Sequence, residues 1–430
     1  AHFQPKHLSK SSFSFLTQTT LETMPCFSRF ALVGASVGSL AWKANAIRTL
    51  ISDAVELTAE DEWGVYDSKS GPAYTDVAQG SLGDCYYLAG LAALAHTHPE
   101  TIKQAFVTTG EINSLGRSIY QLRFMVDGEV KMVAIDDSIP MFEKEGYKSR
   151  FYFARLSKSE EVWPALLEKG FAKLFGSYFA IRGGWAFQAF KAITQAPVDM
   201  LDKEPASDMW DFIQEALANN WPVAGGTTSN DFGTVAGHAF VILSTGSKEG
   251  KQAVHVYNPW GTENNYAGEL KHLSTRDVGN YWLTLDEFGK AFNLVTRARV
   301  LPHAHLSSIS IPVGSAVAVQ FTTKLTRSRS HENPDFYVQL EWPDEKIMPE
   351  GCQVRISESS ISMRVGLKSA GPSAAVDAKR PVLWNEISNL RATVPANAGT
   401  YVAMIGSHFE DMPSIKKLVM NVYAEEAVKI

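Results

Sequence analysis

The hydrophobic and polar positions change period along the chain, and the changes divide it into parts. At residues 79–95 the sequence QGSLGDCYYLAGLAALA turns on glycines and then runs apolar on every side, which predicts a central, buried helix starting at Cys85. Further on, EEVWPALLEKGFAKLFGSYFA places Trp163, Leu166, Leu167, Phe171 and Leu174 at the i, i+3, i+4 spacing of one buried helix face. The pattern over 51–196 is mainly helical. Over 197–302 strands dominate, as in HAFVILSTG and QAVHVYNP, separated by glycine and Asn-Pro turns. From about residue 303, ISIPVGSAVAVQF, DFYVQLEW, GTYVAMIGSHF and KKLVMNVYAEE alternate as a half-buried antiparallel sheet does, over a length that suits a β-sandwich. No internal repeat is evident, and the expected class is α+β followed by an all-β part.

The first 50 residues read differently. Residues 1–24 are polar and rich in Ser and Thr, and the apolar run over 30–42 is shorter than the roughly 20 residues a membrane-spanning helix needs. If translation begins at Met24, the segment offers a basic residue, an apolar stretch and an Ala44-Asn45-Ala46 end that suits signal-peptide cleavage. The other reading is a poorly ordered leader packed on the first domain. The expected location is cytoplasmic, with the secretory pathway as the alternative.

Composition narrows the function classes. The 430 residues are 45% hydrophobic and 20% charged, ordinary for globular chains. A net charge of −6 without a basic stripe argues against nucleic acid, because phosphate binding needs clustered Lys and Arg. The 3 cysteines, Cys26, Cys85 and Cys352, are spaced for neither a disulfide framework nor a zinc site.

Cys85 in the first turn of its helix sits where unpaired N–H groups and a partial positive charge favour a thiolate. Gly80 and Gly83 permit a sharp turn, and Asp84 is placed to cap the helix. Upstream, the Gln79 amide and the Cys85 backbone N–H form a pair of donors for a developing oxyanion. A lone cysteine is more often a small buried hydrophobe. Two distant segments weigh against that here: His238 heads an apolar strand in GTVAGHAFVILS, and Asn258 ends another in VYNPWG. A thiolate nucleophile needs an imidazole to hold its proton, and the imidazole needs an acceptor to orient it.

The ordered segments TDVAQGSLGDCYYLAGLAALA, GTVAGHAFVIL and NPWG resemble the signatures of the calpain family of cysteine proteases, and the resemblance extends over about 61–301. It implies a papain-like core of two parts, helical over about 51–196 and strand-rich over about 197–302, followed by a C2-like β-sandwich over 303–430. It also implies Cys85 as nucleophile, His238 as general base and acid, Asn258 as imidazole orienter, Gln79 as oxyanion donor, and Trp260 as a shield over the His238–Asn258 hydrogen bond. Family members use calcium to bring the parts into register. By that resemblance Asp76, Glu168 and the carbonyls near Gly71 are the expected ligands in the helical half. In the strand-rich half Val278 and Asn280 stand where carboxylates are usual, so a second calcium site is doubtful, and Tyr266 replaces a tryptophan. The sandwich lacks an aspartate cluster for phospholipid binding, so membrane association is unsupported, and no EF-hand loop hints at a small-subunit partner.

The expected activity is cysteine endopeptidase cleavage of protein substrates, calcium-regulated and limited in extent. Two alternatives stay open: a noncatalytic scaffold, and a thiol acyltransferase that passes the acyl group to an amine.

Overall fold

A computed structural model describes residues 54–55 and 65–430, apart from 68, 115, 127, 145–146, 156–160, 262–265, 274–278, 302, 314–315, 325–335, 342–360, 379–388, 395–396 and 408–416. The leader expectations, including Cys26, Met24 and Ala44-Asn45-Ala46, therefore lie outside the described residues, as do Val278 and Cys352.

The first part is organised around helix α1 (Cys85–Thr97), followed by α2 (Pro99–Ala105) and, later, α3 (Trp163–Leu174) and α4 (Ala186–Thr194). Residues 86–95 of α1 are buried on every side, as an all-round apolar helix must be. Gly90 lets α4 approach: a Cβ there would lie 2.4 Å from the Ala189 Cβ. The helical reading of 51–196 is incomplete, however, because strands occupy the middle. Strand β1 (Ala54–Val55) pairs with β5 (Ile139–Lys144) and β6 (Tyr147–Phe151) in the order β1-β5-β6. Between them β2 (Phe106–Ile112), β3 (Ser118–Val126) and β4 (Glu129–Asp136) form a second antiparallel sheet. The alternation in β3, where Tyr120, Leu122 and Phe124 point inward, carries the strand signal.

The second part is one antiparallel sheet. Its strands are β7 (Val198–Asp202), β8 (Val223–Thr227), β9 (Ala239–Lys248), β10 (Lys251–Tyr257), β11 (Asn280–Thr284) and β12 (Phe292–Ala298), in the order β11-β10-β9-β8-β12-β7. Side chains on a strand alternate between faces. Ala239, Val241 and Leu243 of β9 therefore join the core around α1, while Phe240 and Ile242 join a second core under α5 (Ala206–Ala218) and α6 (Leu285–Ala291). The sheet is covered on both faces, and α1 is the element both parts share.

The third part holds two four-stranded antiparallel sheets about a common core. One has β13 (His305–Pro312), β20 (Lys417–Ala424), β15 (Phe336–Glu341) and β18 (Asn389–Val394); the other has β14 (Val317–Thr323), β19 (Gly399–Ser407), β16 (Ile361–Leu367) and β17 (Val376–Asp377). Among the described residues no helix is long and apolar enough to cross a membrane.

Candidate active site

The segment entering α1 is shaped by a close approach. A Cβ at Gly80 would lie 1.6 Å from the Phe153 carbonyl oxygen, so no other residue fits there without moving the chain. Gln79 beside it donates its backbone N–H to Pro259 O at 2.7 Å, which ties the run into α1 to the turn after β10. The Gln79 side-chain Nε2 donates to Leu82 O at 2.6 Å. That bond fixes which end of the amide is nitrogen and leaves its second N–H available, together with the Cys85 backbone N–H, for an oxyanion.

His238 is buried at the head of β9, and its Nε2–H donates to Asn258 Oδ1 at 2.8 Å. Asn258, fully buried, also accepts the Trp260 backbone N–H at 3.1 Å through the same oxygen. The Trp260 ring lies over the imidazole with centroids 4.6 Å apart, and Phe240 meets it edge-on at 5.0 Å. The tautomer with hydrogen on Nε2 leaves the Nδ1 lone pair to take a proton. Cys85 and His238 line one cavity of about 520 Å³ between the first turn of α1 and the adjoining ends of β8 and β9. Among the described contacts no hydrogen bond joins the two, and the thiol instead meets the backbone N–H of Ala239.

The electrostatics of this arrangement favour neutral partners. Burial pushes the Cys85 thiol up, and the Asp84 charge adds to it, outweighing the Ala239 and Tyr86 N–H groups. Burial also pushes the His238 imidazole down to about 4, against the Asn258 hydrogen bond. The thiolate expected from the helix terminus is therefore not the form favoured here, because desolvation exceeds the dipole effect.

Asp84 makes no capping hydrogen bond with its side chain, contrary to its sequence position. It faces Glu168 instead. Glu168 Oε2 accepts the Ala154 N–H at 2.9 Å, and burial plus the Asp84 charge raise the Glu168 carboxyl well above its ordinary value. Two buried carboxyls in contact cannot both ionise, and Glu168 is the one held in its protonated form. Glu168, expected as a calcium ligand beside Asp76, is thus engaged elsewhere.

The carboxyl beside Asp76 is Glu161. Asp76 Oδ2 accepts Ala73 N–H at 2.6 Å and the Trp163 indole N–H at 2.9 Å. Burial, then the Asp76 carboxyl, push Glu161 up to about 7 against the Asp67 backbone N–H, and its Oε2 is buried without a donor among the described residues. Oxygens crowded in this way suit a hard cation. Among the described residues no group of three or more His, Cys, Asp or Glu is arranged to hold a metal, so carbonyls would have to complete the shell. Gly71 closes the neighbouring turn, its N–H on Asp67 O at 2.8 Å. In the strand-rich part Asn280 Nδ2 donates to Tyr74 OH at 3.3 Å, and Tyr266 stacks on Tyr281 at 4.7 Å.

Sequence reasoning also missed Arg155. Its Nε donates to Gln79 O at 2.8 Å and its Nη2 to Trp260 O at 2.9 Å, joining the oxyanion segment to the turn that holds Asn258. No local signal marks it, since both partners are carbonyls of remote residues.

A sequence model described as calpain family cysteine protease matches residues 55–298. The calpain-type cysteine protease ADL1 of Oryza sativa subsp. japonica is 32% identical over 257 residues, covering 53% of this chain and 12% of that protein. The calpain-type cysteine protease DEK1 of Arabidopsis thaliana is 30% identical over 302 residues, 64% of this chain and 14% of that protein. Calpain-9 of Homo sapiens is 27% identical over 264 residues, 54% and 37% respectively. The chain thus spans well under half the length of each of these relatives.

Proposed function

The chain belongs to the calpain family of cysteine proteases, and from that premise we propose that it is a cysteine endopeptidase that cleaves protein substrates with Cys85 as nucleophile. The observation that carries this reading is the buried 2.8 Å His238–Asn258 hydrogen bond, with Cys85 across the same cavity.

In the proposed reaction His238 Nδ1 takes the proton from Sγ as sulfur attacks the peptide carbonyl. The carbonyl oxygen becomes an oxyanion, held by the Cys85 N–H and the remaining N–H of Gln79. Collapse breaks the C–N bond, and the imidazolium gives its proton to the leaving amine. Water then attacks the thioester, losing a proton to His238, and the acid leaves as the proton returns to sulfur. Asn258 keeps the ring oriented throughout, and Trp260 and Phe240 keep water from that hydrogen bond.

We read the two-part core as papain-like and the sandwich as C2-like. Calcium regulation belongs to the same proposal. The raised thiol, the depressed imidazole and the missing Cys85–His238 hydrogen bond describe a resting form, and a cation would bind through Asp76 and Glu161, which relieves their mutual repulsion. Bound there it would supply charge neutralisation beneath the segment leading to Gln79 and Cys85.

The test is casein cleavage by the wild type and by Cys85→Ala, with calcium titrated against a chelator. Cleavage that disappears in Cys85→Ala and rises with calcium is the expected result. Cleavage that survives the substitution removes the proposal, and thiol-dependent cleavage indifferent to calcium removes only its metal part.

A further inference from the structure

The cavity beside Cys85 and His238 continues along the six-stranded sheet, and the strand register says what lies at its far end. Ala239 pairs with Gly226, Gly226 with Leu294, and Leu294 with Asp202. These four residues form one row across β9, β8, β12 and β7, and directly opposed residues in antiparallel strands project to the same face. Ala239 is the residue whose N–H meets the Cys85 thiol. The row therefore starts at the nucleophile and crosses a floor of small and apolar residues. It ends on a carboxylate.

All four line the 520 Å³ cavity, with Trp185 and Ala186 forming the wall from the start of α4. Gly226 keeps the floor low, since a Cβ there would press on Leu294 at 3.3 Å. Asp202 is the one acidic side chain among the lining residues. Its side chain is 16% exposed. Lys203 approaches its Oδ2 at 3.9 Å, but that lysine side chain is 66% exposed, and a loose surface pair of this kind contributes little.

We propose that this cavity is a substrate subsite selective for a long basic side chain, lysine or arginine, with Asp202 as its specificity-determining residue. The inference rests on the protease reading of the site and names its substrate class. Gly226 and Asp202 are two strand spacings apart, about 10 Å, a span that a long cationic side chain and its hydrogen bond bridge and a leucine does not. The methylene stem of such a side chain covers Leu294 and the glycines while its charged head ends on Asp202. An apolar side chain in the same place takes water from Asp202 and returns no partner, and an acidic one adds repulsion. Arginine gains further from a two-point contact with the carboxylate.

The experiment separates the subsite from the chemistry. Peptidyl acyloxymethyl ketones carrying Lys or Leu at each of the three residues before the reactive carbon are reacted with the wild type and with Asp202→Asn, and covalent labelling of Cys85 is followed by mass spectrometry. At one position the Lys reagent should label faster than the Leu reagent by about tenfold, the scale of one hydrogen bond to a charged group, and Asp202→Asn should bring the ratio near one. The ratio is internal to each protein, so partial misfolding of the variant does not alter it. Equal rates in the wild type, or a Lys preference that survives Asp202→Asn, overturn the proposal, as does failure of every reagent to label. Hydrolysis of matching fluorogenic peptides is measured in parallel. Lys-selective labelling without hydrolysis leaves the subsite standing and removes the protease reading, whereas hydrolysis without Lys preference does the reverse.

Discussion

At Cys85 two influences of opposite sign meet. A helix N-terminus stabilises a neighbouring anion by about 0.3–1 kcal/mol, up to about 2 when partly buried. Loss of water around a buried acid shifts its pKa by as much as about 3–5 units, which is several kcal/mol. Burial wins, so the thiol is raised and the His238 imidazole is held at about 4. Alkylation of Cys85 by iodoacetamide should therefore climb with pH through the alkaline range in the calcium-free protein. A rate already level near pH 5 would show that a thiolate–imidazolium pair exists at rest. The same shift has a stability sign. The unfolded chain protonates His238 near its ordinary 6.5, the folded chain only near about 4, so the contribution of this group is complete above 6.5 and is lost as pH falls toward 4. The residue types of the site could be read in the sequence because Cys, His, Asn and Gln each suit one chemical role. Asp84 and Glu168 could not, because a carboxylate before a helix looks like a cap until a second buried carboxylate is found against it.

Among the elements, helices with one apolar face were the most legible. Trp163, Leu166, Leu167 and Phe171 of α3 are buried as their spacing requires, with Leu174 partly buried at the frayed end. The strands of the first part were overlooked because the all-round apolar α1 and the long α3 dominate the pattern on either side of them. The entry to α1 depends on contact rather than propensity. Gly80→Ala would force apart backbone that is already touching, and should cost at least about 1–3 kcal/mol in urea unfolding, with turnover falling further because Gln79 is displaced. A variant as stable and active as the wild type would mean that the Phe153 carbonyl is free to move away.

For the whole molecule, the sandwich departs most from its sequence pattern. Alternation predicted a half-buried sheet, yet all six residues of β15 are buried, and so are seven of the eight in β20. One face packs on the opposing sheet and the other on the protease core, where Tyr337 and Tyr423 join the cluster around α1. The seam is polar as well. Gln195 Nε2 donates to Glu341 Oε1 at 3.0 Å, and Leu301 N–H to Tyr423 OH at 3.1 Å. Asp199 gathers three arginines: Arg391 at 2.5 Å from the sandwich, with Arg299 at 2.6 Å and Arg297 at 3.2 Å from β12 and the residues after it. Asp199→Asn leaves the three cations around a neutral group, with Glu215 the remaining carboxylate on Arg297 and Arg299. It should destabilise the protein by about 3–5 kcal/mol, as removing one partner of a buried pair does, and open the seam to limited proteolysis. A loss no larger than that of an ordinary surface change would mean the sandwich is held by its tyrosines and the Gln195–Glu341 contact rather than by Asp199.

What the sequence by itself determined is what acts over short range. Apolar spacing set the α1 and α3 helices, alternation set the sheets of the second and third parts, and the chemistry of Cys85, His238, Asn258 and Gln79 narrowed the roles open to them. Tertiary structure alone decided which groups meet. It turned Asp84 toward Glu168, brought Glu161 to Asp76, set Arg155 across the cleft, placed Asp202 at the end of a row that begins beside Cys85, and covered the outer face of β15. The physical reason is that burial, charge pairing and strand register join residues far apart in the chain, and the strength of each depends on the water excluded when they come together.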